Sequence, residues 1–225
     1  MNTACVVCSY MLPKKLIETF ISANKFTGNY RQLYVVCREG DNLNLPNHIK
    51  VIEVPKMEIF NIGKCSNVGI RTAIDDGHKI IMKTDVDNVL SDEVLLQIKD
   101  TTEKQGFCYR YWDIDSMETI GNSSLNPRCM GSIVLHSTTW INVCGYDERM
   151  MGYGYEDFAM YKRAERTGIN IEILTDPKLY HIDHKDKHNR DTINPLLRSN
   201  NIEASVGNWT KLKASESWGC IFNER

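Results

Sequence analysis

Short apolar runs alternate with amphipathic stretches over the first ninety residues of the chain. The predicted strands cover 4–8, 33–37, 49–54 and 80–82, and the predicted helices lie within 13–28 and 60–77. The run around Ile81 is apolar without alternation, which is typical of a strand buried on both faces. The order strand, helix, strand, strand, helix, strand predicts an α/β fold with a mostly parallel central sheet flanked by helices.

The pattern becomes less regular in the second half of the chain. Ser91 is expected to cap a helix that runs to Lys104 and ends at Gly106. Further strands are predicted at 107–112, 132–135, 171–174 and 178–180, with a polar loop at 113–128 and a helix from Glu156 to Gly168. We therefore expect a smaller region of mixed strands after the parallel half.

Length and composition indicate an ordinary α/β protein of one domain. The net charge of -2 gives no electrostatic support for a nucleic-acid partner. The apolar runs are of strand length, which predicts no transmembrane segment, and the first of them precedes the basic residues, the reverse of a secretory signal. We expect a cytoplasmic protein, and the oligomeric state stays open.

Eight cysteines are scattered along the chain, several of them in apolar runs. Cysteine in such runs behaves as a small hydrophobic residue, so we expect reduced thiols rather than a disulfide framework. Cys5 and Cys8 form a C-x-x-C pair inside a predicted strand, without a second pair at zinc spacing. A core position is the favoured interpretation for both.

A pair of carboxylates follows the buried strand at 80–82. Asp85 and Asp87 are separated by one residue, and alternation along a strand would point both side chains the same way. Most short acidic pairs lie at solvated turns, so this pair alone is weak support for a cation site. The loop at Ser9 and Tyr10 ends the first strand, and the carboxyl ends of parallel strands share one edge of the sheet. We therefore expect these four residues to border a nucleotide-binding crevice.

Two further clusters carry candidate chemistry. Glu156 and Asp157 open a helix behind a glycine-rich loop, although acidic residues in a first helical turn also stabilise the helix dipole in proteins of any function. Three histidines, His181, His184 and His188, fall within eight positions. They can be a solvated polar loop or a set of metal ligands.

Three stretches, in this order, resemble the GT-A nucleotide-sugar glycosyltransferases. They are FNIGKCSNVGIRTAIDDGHKIIMKTDVD (60–87), GYDERMMGYGYEDF (145–158) and LYHIDHKDKHN (179–189). The resemblance is to the C-terminal region of the beta-1,4-galactosyltransferases and to the bacterial chondroitin-polymerase-like family 2 transferases. The resemblance implies one Rossmann-like nucleotide-diphospho-sugar transferase domain over 1–225. Within it, 1–105 would bind the nucleotide sugar, 106–193 would carry the acceptor and metal sites, and 194–225 would form a tail that packs on the domain.

The resemblance also implies a metal site. Asp87 would bind Mn²⁺ (or Mg²⁺), and Asp85 would contact the ribose or the metal shell. His181 falls where the family has its metal-binding histidine, with His184 as the second candidate. Carboxylate oxygen with one imidazole suits Mn²⁺, a Lewis acid that absorbs the charge developing on a departing diphosphate.

The remaining implied roles concern the donor and the acceptor. Asp157 would be the catalytic base and Glu156 an acceptor contact, while the stretch with Asn61, Lys64 and Asn67 would approach the donor. A positioned carboxylate can take the proton of an attacking hydroxyl. With one base and no enzyme nucleophile, the displacement is a single step that inverts the anomeric configuration.

The implied activity is therefore metal-dependent, inverting transfer of a hexosyl or N-acetylhexosaminyl group from a UDP-sugar to a glycan or another hydroxyl acceptor. The alternatives are a catalytically silent module that binds a carbohydrate or a nucleotide sugar, a retaining transferase and a nucleotidyltransferase. The last is disfavoured because a glycine-rich loop after the first strand is missing. The chain departs from the galactosyltransferases at Ile62 (arginine in the family), Lys178 (metal-binding methionine) and Tyr153 (tryptophan). These departures leave the donor sugar open. Tyr153 and Tyr155 could offer a flat face to an acceptor sugar or could be packing residues.

Overall fold

The computed structural model describes residues 3–10, 12, 14–24, 31–117, 131–152, 154–182 and 218–219. The strands are β1 Thr3–Cys8, β2 Arg31–Arg38, β3 Lys50–Val54, β4 Ile80–Thr84, β5 Asn88–Leu90, β6 Gln105–Asp113, β7 Ile133–His136 and β8 Asn170–His181. The α-helices are α1 Lys14–Asn24, α2 Ile62–Asp75, α3 Asp92–Gln97, α4 Ser137–Val143 and α5 Glu156–Arg166. Most of the polar loop expected at 113–128 and of the tail from residue 194, together with His184, His188 and Tyr153, lies outside the described residues.

The described strands form one sheet in the order β3-β2-β1-β4-β7-β6-β8-β5. The four strands from β3 to β4 pair in parallel, as the sequence predicts. Beyond β4, the sheet is mixed: β7 is antiparallel to both β4 and β6, β8 is parallel to β6, and β5 is antiparallel to β8. The prediction of a mostly parallel α/β fold with a mixed second region is confirmed, and that region continues the same sheet.

Helices cover both faces of this sheet. Alternate residues of β1 accordingly belong to two different core clusters. Val6 lies in a cluster with α2, α4 and α5, and Val7 lies in a cluster with α1 and α3. Gly69 lets α2 approach the sheet closely, since a Cβ at this position would lie 2.5 Å from Val6 Cγ1. In the predicted tail, Trp218 is buried and its ring lies 5.5 Å from the Arg71 guanidinium.

The helix predicted from Ser91 to Lys104 is shorter than expected. Ser91 caps it as predicted by accepting a hydrogen bond from the Val94 N–H, but α3 ends at Gln97 and a 3-10 turn covers Ile98–Asp100. Gly106 does not end a helix: it lies in β6, where a Cβ would meet Leu135 Cδ2 at 2.5 Å and the Val134 carbonyl oxygen at 2.8 Å. The glycine is needed for close strand packing.

Other differences concern short elements. The strands expected at 171–174 and 178–180 are parts of one strand, β8, and β5 and α4 were not predicted.

No helix in the described part of the chain is both long and apolar enough to span a membrane. Of the six cysteines within the described ranges, Cys144 is partly buried and the other five are buried: Cys5, Cys8, Cys37, Cys65 and Cys108.

Candidate active site

The acidic pair lies at the carboxyl edge of the parallel strands. Strand β4 pairs with β1, with Val7 opposite Thr84, so the Ser9 loop and the acidic pair leave the sheet at the same edge. The strand ends at Thr84, and the two aspartates occupy a turn in which the Asn88 N–H donates to the Asp85 carbonyl at 3.3 Å. A turn, rather than alternation along an extended strand, therefore positions the two carboxylates.

Asp87 and His181 contact each other although they are 94 residues apart in the chain. His181 Nε2 lies 3.0 Å from Asp87 Oδ2, and both side chains are largely buried, with 12% and 14% exposure. The sheet brings them together, because Asn88 of β5 lies opposite His181 of β8 and the Ile182 N–H donates to the Asp87 carbonyl at 2.7 Å. Two of the predicted metal ligands thus share one location.

Asp85 is held by two protein donors. Lys83 Nζ lies 2.8 Å from Asp85 Oδ1, and the Tyr111 hydroxyl donates to Oδ2 at 3.1 Å. Burial raises the pKa of Asp85; Lys83 opposes this, and the charges of Asp87 and Asp157 raise the pKa further. A cation near Asp87 would relieve the repulsion among these carboxylates.

The donor set suits a hard divalent cation. Within the described ranges, no three His, Cys, Asp or Glu side chains converge as a complete ligand set. Asp87 and His181 supply one carboxylate oxygen and one imidazole nitrogen, a combination that Mn²⁺ accepts. Such cations commonly complete their shell with substrate phosphates and water. The residues present therefore fit Mn²⁺ or Mg²⁺ bound together with a diphosphate.

Asp157 lies across Lys83 from Asp85. It belongs to the first turn of α5, its Oδ1 accepts a hydrogen bond from the Tyr146 hydroxyl at 3.2 Å, and Lys83 Nζ is 3.6 Å from the same oxygen. Asp157 also lines a pocket with Gly131, Ser132, Ile133 and Tyr146. A carboxylate at such a pocket can accept a proton from a bound hydroxyl.

Glu156 precedes Asp157 but is more deeply buried. Its side-chain oxygen Oε2 accepts a hydrogen bond from the Gly154 N–H at 2.6 Å. Burial, with the nearby charge of Asp157, raises the pKa of Glu156 to about 8. Its carboxyl group is therefore largely protonated at neutral pH, and its contact with an acceptor stays a prediction.

The residues expected on the donor side have protein partners. Asn61 caps α2 by accepting a hydrogen bond from the Lys64 N–H and donates to the Glu148 carbonyl, and Asn67 donates to the Tyr146 carbonyl. Lys64 lies on the first turn of α2. The two amides thus fix α2 against the segment that leads to the glycine loop, and donor contacts by these three residues stay predictions.

Ser9 and Tyr10 lie just beyond the end of β1, as expected. Both are buried, and the Ser9 N–H donates to the Val36 carbonyl. The Tyr10 ring stacks on Phe60 with centroids 5.0 Å apart, and its hydroxyl accepts a hydrogen bond from the Met57 N–H. The contact of Ser9 and Tyr10 with a nucleotide stays a prediction.

Comparisons with known proteins agree with this architecture. The family model described as the N-terminal domain of galactosyltransferase matches residues 116–185. Residues 1–349 of S. aureus TarS, solved in complex with UDP-GlcNAc, superpose with a TM-score of 0.68 and 12% identity, over 97% of this chain and 69% of that one. A mutant of Drosophila beta-1,4-galactosyltransferase 7 in complex with manganese, UDP-Gal and xylobiose superposes with a TM-score of 0.63 and 15% identity, over 88% of this chain and 80% of that one. The chain has the fold of the GT-A nucleotide-sugar glycosyltransferases. The curated proteins contain no match to its sequence.

The candidate site of this GT-A fold includes three residues that the sequence did not single out. Lys83, Tyr111 and Tyr146 are all buried and contact the acidic residues. For Lys83 a signal existed, since a lysine inside the apolar run IIMKT must find a buried anionic partner. The two tyrosines gave no such signal, because a tyrosine in a strand or loop is commonly a packing residue.

Proposed function

We propose that this protein is a metal-dependent inverting glycosyltransferase that moves a sugar from a UDP-sugar to a hydroxyl of a glycan or another acceptor. The contact between Asp87 and His181 carries this proposal, because it unites the two expected metal ligands at the edge where the fold binds nucleotides. The fold neighbours solved with UDP-GlcNAc, UDP-Gal and manganese support the same donor class and metal.

The residues divide the chemistry between the two sides of the candidate site. A Mn²⁺ or Mg²⁺ ion held by Asp87 and His181 would stabilise the charge on the departing diphosphate. On the other side, Asp157 accepts the proton of the acceptor hydroxyl while the oxygen of that hydroxyl bonds to the anomeric carbon. The bond between that carbon and the UDP oxygen breaks in the same step, so the configuration inverts.

The acceptor is proposed to be a carbohydrate or glycoconjugate. Xylobiose is present in two structures of the Drosophila neighbour, which supports a saccharide as the acceptor. Tyr155 precedes α5 with 36% of its surface exposed, next to Glu156 and Asp157. Its ring can pack against one face of a sugar.

The test is a screen of UDP-GlcNAc, UDP-GalNAc, UDP-Gal and UDP-Glc for UDP release with Mn²⁺ and with EDTA. Wild type should turn over at least one donor only with the metal. Asp157→Asn should lower turnover about 100-fold or more, while the affinity for UDP with Mn²⁺ stays about the same. Asp92→Asn is the matched control, because Asp92 also lies in the first turn of a helix but is not among the residues that line the pocket.

The outcomes separate the alternatives. Binding of UDP without turnover of any donor by wild type would indicate a silent binding module. A product that keeps the anomeric configuration of the donor, measured by NMR, would indicate a retaining transferase and would remove the role of Asp157 as base.

A further inference from the structure

Lys83 is a buried cation beneath the proposed site. Its side chain is 1% exposed, and its Nζ lies 2.8 Å from Asp85 Oδ1 and 3.6 Å from Asp157 Oδ1. A buried ammonium group is stable only when it is paired, and these two carboxylates provide the pairing. Lys83 therefore connects the carboxylate on the donor side with the proposed base.

The two carboxylate oxygens of Asp157 have different contacts. Lys83 Nζ and the Tyr146 hydroxyl approach the same atom, Oδ1. The Tyr146 ring in turn lies 5.7 Å from Lys83 Nζ, so the three side chains form one cluster. Among the described residues, no hydrogen bond is formed to Oδ2. That oxygen is the one left to accept a proton at the pocket.

We propose that Lys83 is a positioning residue: it fixes Asp157 through Oδ1 so that Oδ2 faces the acceptor hydroxyl. The inference rests on the proposed function, in which Asp157 is the base. Lys83 is too deeply buried to touch a substrate itself. Its effect on the reaction passes through Asp157, although its closer partner is Asp85, at 2.8 Å.

Double-variant kinetics test this role with the best donor from the screen. Lys83→Met should lower kcat about 10- to 100-fold, because a misplaced base loses the attack geometry, while KM for the donor stays about the same. Lys83→Arg should recover part of the loss. In an Asp157→Asn background, Lys83→Met should cause no further loss, since the residue through which it acts is already disabled.

The control is Lys50→Met, which removes an exposed lysine paired with Asp76 and should leave kcat unchanged. An equal loss from Lys83→Met in the wild-type and Asp157→Asn backgrounds would overturn the proposal, since Lys83 would then act elsewhere. If Lys83→Met does not fold, Tyr146→Phe removes the second contact to Oδ1, and its loss of kcat should likewise vanish in the Asp157→Asn background.

Crystal structures of wild type and Lys83→Met provide a readout that needs no activity. The Asp157 carboxylate should be ordered with Oδ1 toward Lys83 in wild type and should rotate in the variant. An unchanged orientation of the Asp157 carboxylate in the variant would overturn only the role of Lys83. A wild type that turns over no UDP-sugar would overturn the proposed function, and the two failures are therefore distinguishable.

Discussion

The Tyr111 side chain contacts both Asp85 and His181. Its hydroxyl donates to Asp85 Oδ2 and also bonds to Ser132 Oγ at 2.8 Å and Asn88 Nδ2 at 2.9 Å. Its ring stacks on His181 with centroids 5.8 Å apart. One residue of β6 thus contacts both an acidic residue of the turn and a proposed metal ligand.

The hydroxyl of Tyr111 should contribute measurably to stability. Tyr111→Phe leaves buried polar groups short of a partner and should lower the free energy of unfolding by about 1–3 kcal/mol. Tyr109→Phe is the matched control on the same strand, because the Tyr109 hydroxyl is buried without a hydrogen-bond partner among the described residues. That variant should be neutral or slightly more stable. Urea unfolding of both variants measures the difference, and equal effects would contradict the prediction.

Glu156 should make the protein less stable as the pH rises. The pKa of this carboxyl is about 8 in the folded chain against 4.5 for an ordinary glutamate, so the unfolded chain loses its proton first. Between about these two pH values, deprotonation favours unfolding, and stability falls with rising pH. Glu156→Gln has no such proton to lose, so its stability advantage over wild type should grow with pH. Urea midpoints across this range test the sign, and parallel profiles would contradict it.

The predictable residues of the site are those whose chemistry is visible locally. Asp85 and Asp87 follow a buried strand, and Asp157 opens a helix after glycines, so the sequence pattern marks all three as candidates and the resemblance supplies their roles. The proximity of His181 to Asp87 is not visible in the local pattern, since it depends on the pairing of β5 with β8. Tyr111 could not be predicted, because its role depends on contacts with side chains from three other segments.

At the level of helices and strands, long periodic segments were predicted well and short ones were not. Helices α2 and α5 lie within the predicted ranges, where several turns of apolar spacing mark the buried face. Strand β5 has three residues and α4 has seven, too few for a period to be recognised. Gly106 was misinterpreted because a glycine that ends a helix and one that allows close strand packing look the same in a sequence.

A substitution at Gly106 distinguishes these two roles. Gly106→Ala places a Cβ against the backbone oxygen of Val134, which no rotamer change can relieve, and should destabilise the fold by about 3 kcal/mol. Gly168→Ala is the control: Gly168 follows α5 with a φ of +85° and has open space around its Cα, so strain alone should cost about 1 kcal/mol. Urea unfolding measures both, and a smaller effect at Gly106 would contradict its place between β6 and β7.

For the whole molecule, the topology of the second half was the least accessible to sequence reasoning. Parallel strands with helices between them follow from an alternating pattern, whereas the order β4-β7-β6-β8-β5 brings together strands from distant parts of the chain. The proposed metal ligands lie on this non-local part, at the junction of β5 and β8. A ligand that bridges them therefore stabilises contacts between segments far apart in sequence.

UDP and Mn²⁺ together should stabilise the fold more than either alone. A ligand that binds only the folded state adds about 2.7 kcal/mol at a concentration of 100 times its Kd, which corresponds to a rise in Tm of roughly 5–10 °C for a chain of this size. Asp87→Asn should abolish the joint effect, because it removes the proposed carboxylate ligand, whereas Asp92→Asn should retain it. Uridine with Mn²⁺ should give a much smaller shift, since it lacks the diphosphate that would complete the metal shell. Thermal unfolding measures each combination, and an equal shift with UDP alone would show that the nucleotide binds without the metal.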